Sequence, residues 1–350
     1  MLAPSEYAGG RGRGYLDTAA YGLPPDSAVA AVERALAGWR EGTAWSTWEE
    51  DGEACRALFA SLVRTTPENI ALLHALSQAA GLVAASLPAG PGDNVVLCER
   101  DFTSTVLPWR GLEARGVELR LRPLEGLAHA VDEHTALVAV SLVQSADGAV
   151  ADLPALTATG ARLFVDATQA VGAIAMTVGE IDYVAAHPYK WLSTPRGLAF
   201  LYVRPDRLAE IEPWMSGWKS RTRPYEDFYG LPELTSDARR FDASLAWLAA
   251  AGGRASLELI AALGPERIAQ HDLVLARRFC AEAGLPEPQA PIVRIEVADA
   301  DAALGALGRA GVRAAGRAGA VRLSFHLYNN EEDVTRALEA LAYTSTVVFD

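Results

Sequence analysis

Two charged side chains follow apolar segments in the middle of the chain, at a spacing that suits amino-acid chemistry. One apolar run ends at Asp166, and a second, Tyr183 to Ala186, is followed after a short turn by Lys190. Buried parallel strands present their carboxyl ends along one edge of a sheet, where ligands usually bind. There Asp166 would keep a pyridine nitrogen protonated, and the Lys190 amine would bond to an aldehyde. Together they predict a pyridoxal phosphate (PLP) enzyme acting on amino acids.

Each of these residues also has a simpler interpretation. An Asp after a strand is often the N-cap of a helix, and a Lys in a loop is usually a solvated charge. The prediction therefore depends on agreement with other segments of the chain.

Composition limits the class of protein. The chain has 350 residues, half of them apolar, and a net charge of -13 spread along its length. This argues against nucleic acid or an anionic membrane as partner. Three distant cysteines, Cys55, Cys98 and Cys280, predict buried thiols rather than a disulfide or metal site. With neither a signal-peptide pattern nor a run of about 20 apolar residues, we expect a cytoplasmic protein without a membrane span.

Apolar strand-like runs alternate with helical ones through the middle of the chain, which predicts a mainly parallel sheet with covering helices. The expected strands are 94–98, 117–121, 136–142, 163–166, 183–186 and 198–203. Helix 27–40 has Val29, Val32, Leu36 and Trp39 at helical spacing, so these residues are expected to face the core. Helices at 242–264 and 266–284 close this unit. Strands at 292–297 and 321–325 with helices at 299–310 and 331–342 predict a small C-terminal α+β domain.

The order and residue sequences of these segments resemble those of the class V aminotransferase branch of the fold-type I PLP enzymes, from Tyr15 to about Leu341. The most specific match outside the lysine segment is 322–334, RLSFHLYNNEEDV. The resemblance implies a seven-stranded type of sheet and a homodimer with shared active sites. The domains would be an arm at 1–17, a large PLP-binding domain at 18–284, a small domain at 285–343 that includes part of the arm, and a tail at 344–350.

The resemblance assigns several residues to the cofactor. Ser77 matches a phosphate-binding turn at a helix start, where free amides suit an anion, although an ordinary Ser-capped helix explains it on local sequence alone. Phe102 matches the ring that stacks on the pyridine, with core packing as the alternative. Gln169 matches the donor to the phenolic oxygen. His187 is either a phosphate ligand or a structural turn histidine.

Further matches are less regular. Ser145 and Gln144 replace a polar pair that lies close to the cofactor hydroxyl and the substrate in this family. Ser244, after Arg240-Phe241-Asp242, takes the place of a Gly-Thr that reaches the phosphate from the neighbouring subunit. No metal ligand set is predicted.

Substrate recognition is assigned to two further residues. The resemblance makes Arg322 the clamp for the substrate α-carboxylate, because a guanidinium binds both oxygens in a fixed orientation. Tyr21 matches a segment that passes near this carboxylate. In the predicted loop 312–320, Arg313 or Arg317 could meet a second anionic group, or could be solvated. Tryptophans near Glu49 and in 214–221 suggest either a subunit contact or an aromatic pocket for a quaternary ammonium group.

Within the class V group, the chain most resembles the carbon-sulfur lyases of ergothioneine biosynthesis. This implies cleavage of hercynylcysteine sulfoxide to ergothioneine, pyruvate and ammonia, with Lys190 as cofactor anchor and general base. A cysteine desulfurase would need a nucleophilic Cys in 312–320, and that segment contains none. An epimerase similar to isopenicillin-N epimerase, a kynureninase-like hydrolase and a binding protein without turnover remain alternatives.

Overall fold

A large twisted sheet forms the centre of the molecule. The computed structural model describes residues 1–42, 45–226 and 228–342, apart from the side chains of residues 45 and 46. In this part of the chain seven strands pair in the order β1-β7-β6-β5-β4-β2-β3. Their bounds are β1 Ile70–Leu73, β2 Asn94–Cys98, β3 Glu118–Arg122, β4 Thr135–Ser141, β5 Leu163–Asp166, β6 Tyr183–Ala186 and β7 Ala199–Val203.

The expectation of a mainly parallel sheet is confirmed. Strands β2 to β6 pair in parallel with their neighbours, and only the pairings of β7 with β6 and with β1 are antiparallel. The sequence prediction omitted β1, because its four residues, Ile-Ala-Leu-Leu, are too short an apolar run to separate from the helix that follows.

Helices cover both faces of the sheet. In the order of the chain they are α1 Asp26–Glu41, α2 Trp45–Leu62, α3 Leu76–Ser86, the short α4 Thr103–Val106 and α5 Leu153–Ala158, α6 Trp247–Leu263 and α7 Pro265–Glu282. Alternate strand residues point to opposite faces. For example, Val165 belongs to the apolar core that contains α2 and α6, and Phe164 to the core that contains α3.

The C-terminal part of the chain forms a second, smaller sheet. Strands β8 Ile292–Ile295, β9 Ala315–Arg317 and β10 Ala320–Ser324 pair antiparallel in the order β8-β10-β9. Helices α8 Ala300–Arg309 and α9 Glu331–Ala342 pack with α7 around this sheet. The N-terminal segment adds single bridges, Tyr15 to Arg313 and Asp17 to Ser324. The domain boundaries stay a prediction, and the tail at 344–350 lies outside the described residues.

The prediction for the face of α1 was wrong. Ala28 and Ala35 are its buried residues, whereas Val29, Leu36 and Trp39 are exposed and Val32 is half-buried. The spacing correctly predicted a helix with one apolar stripe, but spacing does not tell which surface covers that stripe. In the isolated chain the small alanines pack inward and the larger apolar residues point outward.

The segment 312–320 is also more regular than predicted. Residues Ala315–Arg317 form β9, an edge strand paired with β10, and the tight turn between them places Ala318 and Gly319 at positive φ. Among the described helices, none is long and apolar enough to cross a membrane.

Candidate active site

The predicted site residues converge at one edge of the large sheet. The edge is formed by the carboxyl ends of β2, β4, β5 and β6, which are adjacent in the sheet. Asp101 and Phe102 follow β2, Ser141 ends β4, Asp166 ends β5, and Lys190 follows β6. Consecutive parallel strands connected through helices must all end at this same edge, so the topology brings distant residues together.

Asp166 is a buried carboxylate with hydrogen-bond donors but no ion pair among the described residues. It is 5% exposed. Its Oδ1 accepts from the Thr168 backbone N–H at 2.8 Å, and its Oδ2 accepts from the Thr105 hydroxyl at 2.7 Å. The alternative of a helix N-cap does not hold, because an irregular turn follows the strand. A buried carboxylate in this state favours a cationic partner such as a protonated ring nitrogen.

Lys190 is equally buried, at 5% exposed, so the alternative of a solvated loop lysine is wrong. Burial, helped by the positive charge of Arg322, lowers the pKa of its ammonium to about 8, although the charge of Asp166 opposes this shift. A substantial fraction of the amine is therefore neutral near pH 8, and only the neutral amine is a nucleophile.

The turn that carries Lys190 needs a glycine beside it. A Cβ on Gly22 would lie 2.0 Å from the Lys190 carbonyl oxygen, so no side chain fits there. The Gly22 N–H donates to the Tyr189 carbonyl at 2.9 Å. The N-terminal segment thereby packs against the turn and fixes the backbone of the lysine.

Phe102 lies over the lysine amine rather than in the core. Its side chain is 48% exposed, and its ring centroid is 5.5 Å from Lys190 Nζ. The core-packing alternative is therefore wrong. An exposed ring beside a reactive amine leaves one aromatic face available for a planar group.

His187 and Ser77 lie close to each other at the start of α3. The Leu76 backbone N–H donates to His187 Nε2 at 3.1 Å, so the ring proton lies on Nδ1. That Nδ1 is buried and has no hydrogen-bond partner among the described residues. Burial lowers the pKa of His187, which keeps the ring neutral. Ser77 is exposed in the first turn, and Ala75 rather than Ser77 occupies the N-cap, which excludes the ordinary Ser-capped helix.

Ser244 lies beside this helix start within the same chain. Its carbonyl oxygen accepts from His74 Nε2 at 2.6 Å, and its hydroxyl accepts from Trp218 Nε1 at 3.0 Å. The loop that carries Ser244 is fixed by Asp242, whose carboxylate accepts from the Leu72 N–H of β1 at 2.8 Å. The structure therefore places Ser244 at the edge of the predicted phosphate turn of its own chain.

Gln169 already has a partner at each end of its amide. Its Oε1 accepts from Trp191 Nε1 at 2.8 Å, and its Nε2 donates to the Ala19 carbonyl at 2.9 Å. An amide nitrogen has two hydrogens, so one remains for the predicted phenolic oxygen. Trp191, which sequence reasoning did not assign, fixes the orientation of this amide.

Arg322 is buried in the middle of β10, at 2% exposed. Its Nη1 donates to the Ser145 carbonyl at 2.6 Å, and its Nη2 lies 3.3 Å from Asp17 Oδ1. Its Nε is buried without a partner in the described part of the chain. Burial lowers the pKa of Arg322 to about 10. An incompletely paired buried guanidinium suits an incoming carboxylate.

Gln144 and Ser145 connect this arginine to the sheet edge. Ser145 contributes its backbone carbonyl to Arg322, and its hydroxyl is half-buried. Gln144 Nε2 donates to Asp101 Oδ2 at 3.3 Å and to the Ser141 carbonyl at 3.1 Å. Asp101 and Ser141 had no predicted role. The signal for Asp101 was the same as for Asp166, since each follows a buried apolar strand.

Tyr21 lies at the rim of the site. Its ring centroid is 5.6 Å from the guanidinium carbon of Arg313, and its backbone carbonyl accepts from the Tyr15 hydroxyl at 2.9 Å. It also lines a cavity of about 360 Å³, together with Glu33, Tyr189 and Arg196. Arg317 is exposed on β9 and lowers the pKa of both Lys190 and Arg322.

The tryptophan-containing segment 214–221 meets the start of α2, but the cation between them, Lys219, belongs to the chain itself. Lys219 is buried, its ammonium bonds to a Glu49 carboxylate oxygen, and it lies 5.5 Å from the Trp218 ring centroid. Trp247 Nε1 donates to the other Glu49 oxygen at 3.1 Å, and the Tyr225 hydroxyl is 3.0 Å from the first. The predicted quaternary-ammonium pocket is therefore wrong at this position, because Glu49 is already neutralised.

The residues at the sheet edge fit PLP. In the described part of the chain Asp166 has no ion-pair partner, and a protonated ring nitrogen would provide one. The Lys190 amine lies under an exposed aromatic ring, and two buried nitrogens, His187 Nδ1 and Arg322 Nε, lack acceptors among the described residues. Each of these groups corresponds to one part of an amino-acid complex of the cofactor: ring nitrogen, aldehyde carbon, phosphate and substrate carboxylate.

Sequence comparison gives the class of protein. The family described as aminotransferase class-V matches residues 15–287, most of the chain. The chain belongs to this family, and it has the fold-type I architecture of PLP enzymes. Enzymes of this family depend on PLP, so PLP is the cofactor of this chain and the protein is a PLP-dependent enzyme.

Individual relatives are similar over different lengths. An uncharacterized aminotransferase, YcbU, of Bacillus subtilis is 30% identical over 86% of this chain and 86% of its own. A probable cysteine desulfurase of Methanothermobacter thermautotrophicus is 29% identical over 65% of this chain and 60% of its own. The structure of the cystine C–S lyase C-DES in complex with its product cysteine persulfide superposes with a TM-score of 0.87 at 22% identity, covering 96% of this chain and 98% of that one. This last likeness shows the fold.

Proposed function

We propose that the protein is a carbon-sulfur lyase that cleaves hercynylcysteine sulfoxide by β-elimination: the Cβ–S bond breaks, the sulfur group leaves as a sulfenic acid, and water converts the remaining fragment to pyruvate and ammonia. An external thiol then reduces the sulfenic acid to ergothioneine. The observation that carries the proposal is the buried pair formed by Asp166, which ends β5, and Lys190, on the turn after the neighbouring β6, with the buried Arg322 close enough for its charge to lower the pKa of Lys190. PLP, when bound, withdraws electrons from the substrate Cα. The proposal concerns what the chain's own side chains do around that chemistry.

Lys190 would hold the cofactor and then take the Cα proton at its Nζ. Its pKa of about 8 suits both tasks, because the amine accepts a proton without being fully protonated beforehand. Asp166 would hold the ring nitrogen in its cationic form. Arg322 would bind the α-carboxylate through Nε and the Nη atoms, which fixes the Cα–H bond toward Lys190.

A sulfur-containing substrate is supported by the names of the relatives. Several are cysteine desulfurases, and one structural neighbour is a cystine C–S lyase. A desulfurase-like reaction is the second candidate for the same reason. It requires a thiol nucleophile, yet Cys55, Cys98 and Cys280 are buried, and burial raises the pKa of each. A lyase needs no such thiol.

The group attached to sulfur is proposed to lie toward the cavity lined by Tyr21 and Tyr189. Arg196 also lines this cavity, and its guanidinium carbon lies 4.4 Å from the Tyr189 ring centroid, so the trimethylammonium group of the imidazole is assigned to the Glu33 carboxylate and the Tyr21 ring. Tyr21→Ala is then expected to raise KM for hercynylcysteine sulfoxide at least about fivefold, but to leave KM for S-methylcysteine sulfoxide unchanged. Tyr21→Phe keeps the ring and serves as the matched control.

We also propose a cytoplasmic homodimer. The exposed apolar side of α1, formed by Val29, Leu36 and Trp39, needs a cover. The exposed Phe228 lies against Trp218, which donates to Ser244 at the predicted phosphate turn. A second copy seated on these surfaces would complete the cofactor site. Light scattering should give twice the monomer mass, and a fully active monomer would contradict the dimer.

Three free thiols are consistent with a reducing compartment.

Product analysis tests the function. PLP-loaded protein is offered hercynylcysteine sulfoxide, L-cysteine and kynurenine in the presence of a thiol reductant, and the products are separated by mass spectrometry. Pyruvate and ergothioneine from the sulfoxide alone would support the lyase. Alanine from L-cysteine would point to a desulfurase, and alanine from kynurenine to a kynureninase. Turnover of none of them would reject the substrate while leaving the family assignment in place.

A further inference from the structure

Asp101 has no part in the proposed chemistry, yet it accepts hydrogen bonds from several groups at the centre of the site. The Ser141 backbone N–H donates to its Oδ2 at 2.7 Å, and the Ser141 hydroxyl donates to its Oδ1 at 2.5 Å. The Phe102 N–H donates to Oδ1 at 2.7 Å, and Gln144 Nε2 to Oδ2 at 3.3 Å. This one carboxylate joins the end of β2, the end of β4 and the stacking ring.

Asp101 is also connected to Asp166. The Ser141 hydroxyl oxygen is 3.5 Å from Asp166 Oδ2 and 3.3 Å from the Thr105 hydroxyl, which donates to the same Asp166 oxygen. The Ser141 hydroxyl therefore lies between two carboxylates, one that follows β2 and one that ends β5, on the two sides of β4. Neither carboxylate has an ion-pair partner among the described residues. Burial, and to a smaller extent the charge of Asp166, raises the pKa of Asp101, so a cation placed between the two carboxylates and Lys190 would favour the ionised form of Asp101.

We propose that Asp101 is a positioning residue of the cofactor site, a second carboxylate that acts through Ser141 to strengthen the hold of Asp166 on a cationic ring and that fixes Phe102 over that ring. The inference rests on PLP as cofactor but not on the identity of the substrate. Asp101 itself touches neither the substrate nor the reacting atoms.

The charges around the site together set how strongly a cationic ring nitrogen is held in its protonated form. A negative charge within several ångströms favours the protonated form of a cationic group in a partly buried environment. The other groups that act on this site come from several elements: Asp166, His187, Lys190, Arg196, Arg317 and Arg322. Three of these are arginines. Without the negative charge of Asp101, the net charge around the ring nitrogen would be more positive and would disfavour its protonated form.

The test is the pH dependence of the visible absorption of PLP-loaded protein without substrate. For Asp101→Asn we expect the absorption midpoint to move to lower pH by roughly half to one unit. We also expect PLP binding, titrated by tryptophan fluorescence, to weaken about tenfold. Ser141→Ala keeps the charge and loses the bridging hydroxyl, so its shift should be smaller. Asp101→Glu keeps a carboxylate at this position, so its absorption midpoint should lie close to that of the wild type.

Glu99→Gln is the matched control, because Glu99 lies two residues away, is exposed and loses the same charge. An unchanged midpoint in Asp101→Asn, or an equal shift in Glu99→Gln, would overturn the proposal. If Asp101→Asn does not fold, Asp101→Ser carries the same comparison. Because no substrate is present, failure here is distinct from failure of the lyase proposal.

Discussion

Buried charges in two regions of this protein have opposite pairing. Arg56 and Asp242 pair with each other through two contacts, at 2.6 and 3.1 Å, and Arg56 also donates to the Ile70 carbonyl at 2.5 Å. Lys190 and Asp166 are comparably buried, but neither forms an ion pair among the described residues. The first pair connects α2, β1 and the segment before α6. In the second region, the charges of Lys190 and Asp166 are available to bind a ligand.

The pKa directions express the same contrast. Burial lowers the pKa of the paired Arg56, but the combined attraction of Asp242 and Glu53 outweighs burial and leaves the pKa raised. Lys190 has a lowered pKa because burial outweighs the attraction of Asp166. A buried charge without a full partner lowers the stability of the fold and makes the group reactive. A fully paired buried charge costs less stability and is unreactive. Variants in the two regions should therefore separate activity from stability.

The largest effect is expected at the lysine. Lys190→Ala should reduce kcat by at least about a thousandfold, because it removes both the cofactor anchor and the general base. The free energy of unfolding of the Lys190→Ala variant should not fall. Steady-state pyruvate formation and thermal unfolding measure the two quantities. Full lyase activity in this variant would rule out the proposed mechanism.

The paired region should show the converse behaviour. Asp242→Ala leaves the Arg56 guanidinium buried without its main partner, so the free energy of unfolding should fall by about 3 to 5 kcal/mol. Urea denaturation of the PLP-free protein measures this change. Asp237→Ala, a partly exposed carboxylate at the same loop, is a control with an expected change under about 1 kcal/mol. Similar losses in both variants would remove the contrast.

Removing the unfavourable charge should stabilise the unloaded protein. Between pH 8 and 10.5 the unfolded chain holds a proton on Lys190 that the folded chain has released, so the stability contributed by this group rises with pH across that window. Lys190→Met should therefore stabilise the PLP-free protein by up to about 3 kcal/mol at pH 7.

The pH dependence is the control for that prediction. The gain in Lys190→Met should shrink as the pH approaches 10.5, where the wild-type amine is neutral in both states. Urea unfolding at several pH values provides the measurement. A gain that does not depend on pH would indicate improved packing instead of relieved charge burial.

The smallest effect is expected at Lys219, which combines the two regimes. Its ammonium is buried and paired with Glu49, but the pair joins a surface loop to α2 rather than two core elements. Lys219→Met should lower stability by about 1 to 3 kcal/mol, because Glu49 loses its counter-charge. Glu49→Gln in the same background should recover part of the loss, and a double-mutant cycle without coupling would contradict the pairing.

The sequence determined the fold class and most of its elements. Strands such as Leu163–Asp166 and Tyr183–Ala186 agree with the expected bounds, because continuous apolar runs alternating with helical segments are typical of parallel strands buried on both faces. The same pattern placed Asp166 and Lys190 at strand ends. Their predicted roles still await experiment, as do those of the other site residues.

Only the tertiary structure decided what the local pattern leaves open. Helical spacing in α1 predicted an apolar stripe, but the packing of Ala28 and Ala35 decided that the larger residues face outward. The acidic and aromatic residues near Glu49 suggested a site for an external cation, but Lys219, 170 residues away, occupies it. Asp101 gained its partners because β2, β4 and β5 are neighbours in the sheet. Periodicity specifies an element and its faces, whereas contacts between distant segments depend on how the whole chain packs.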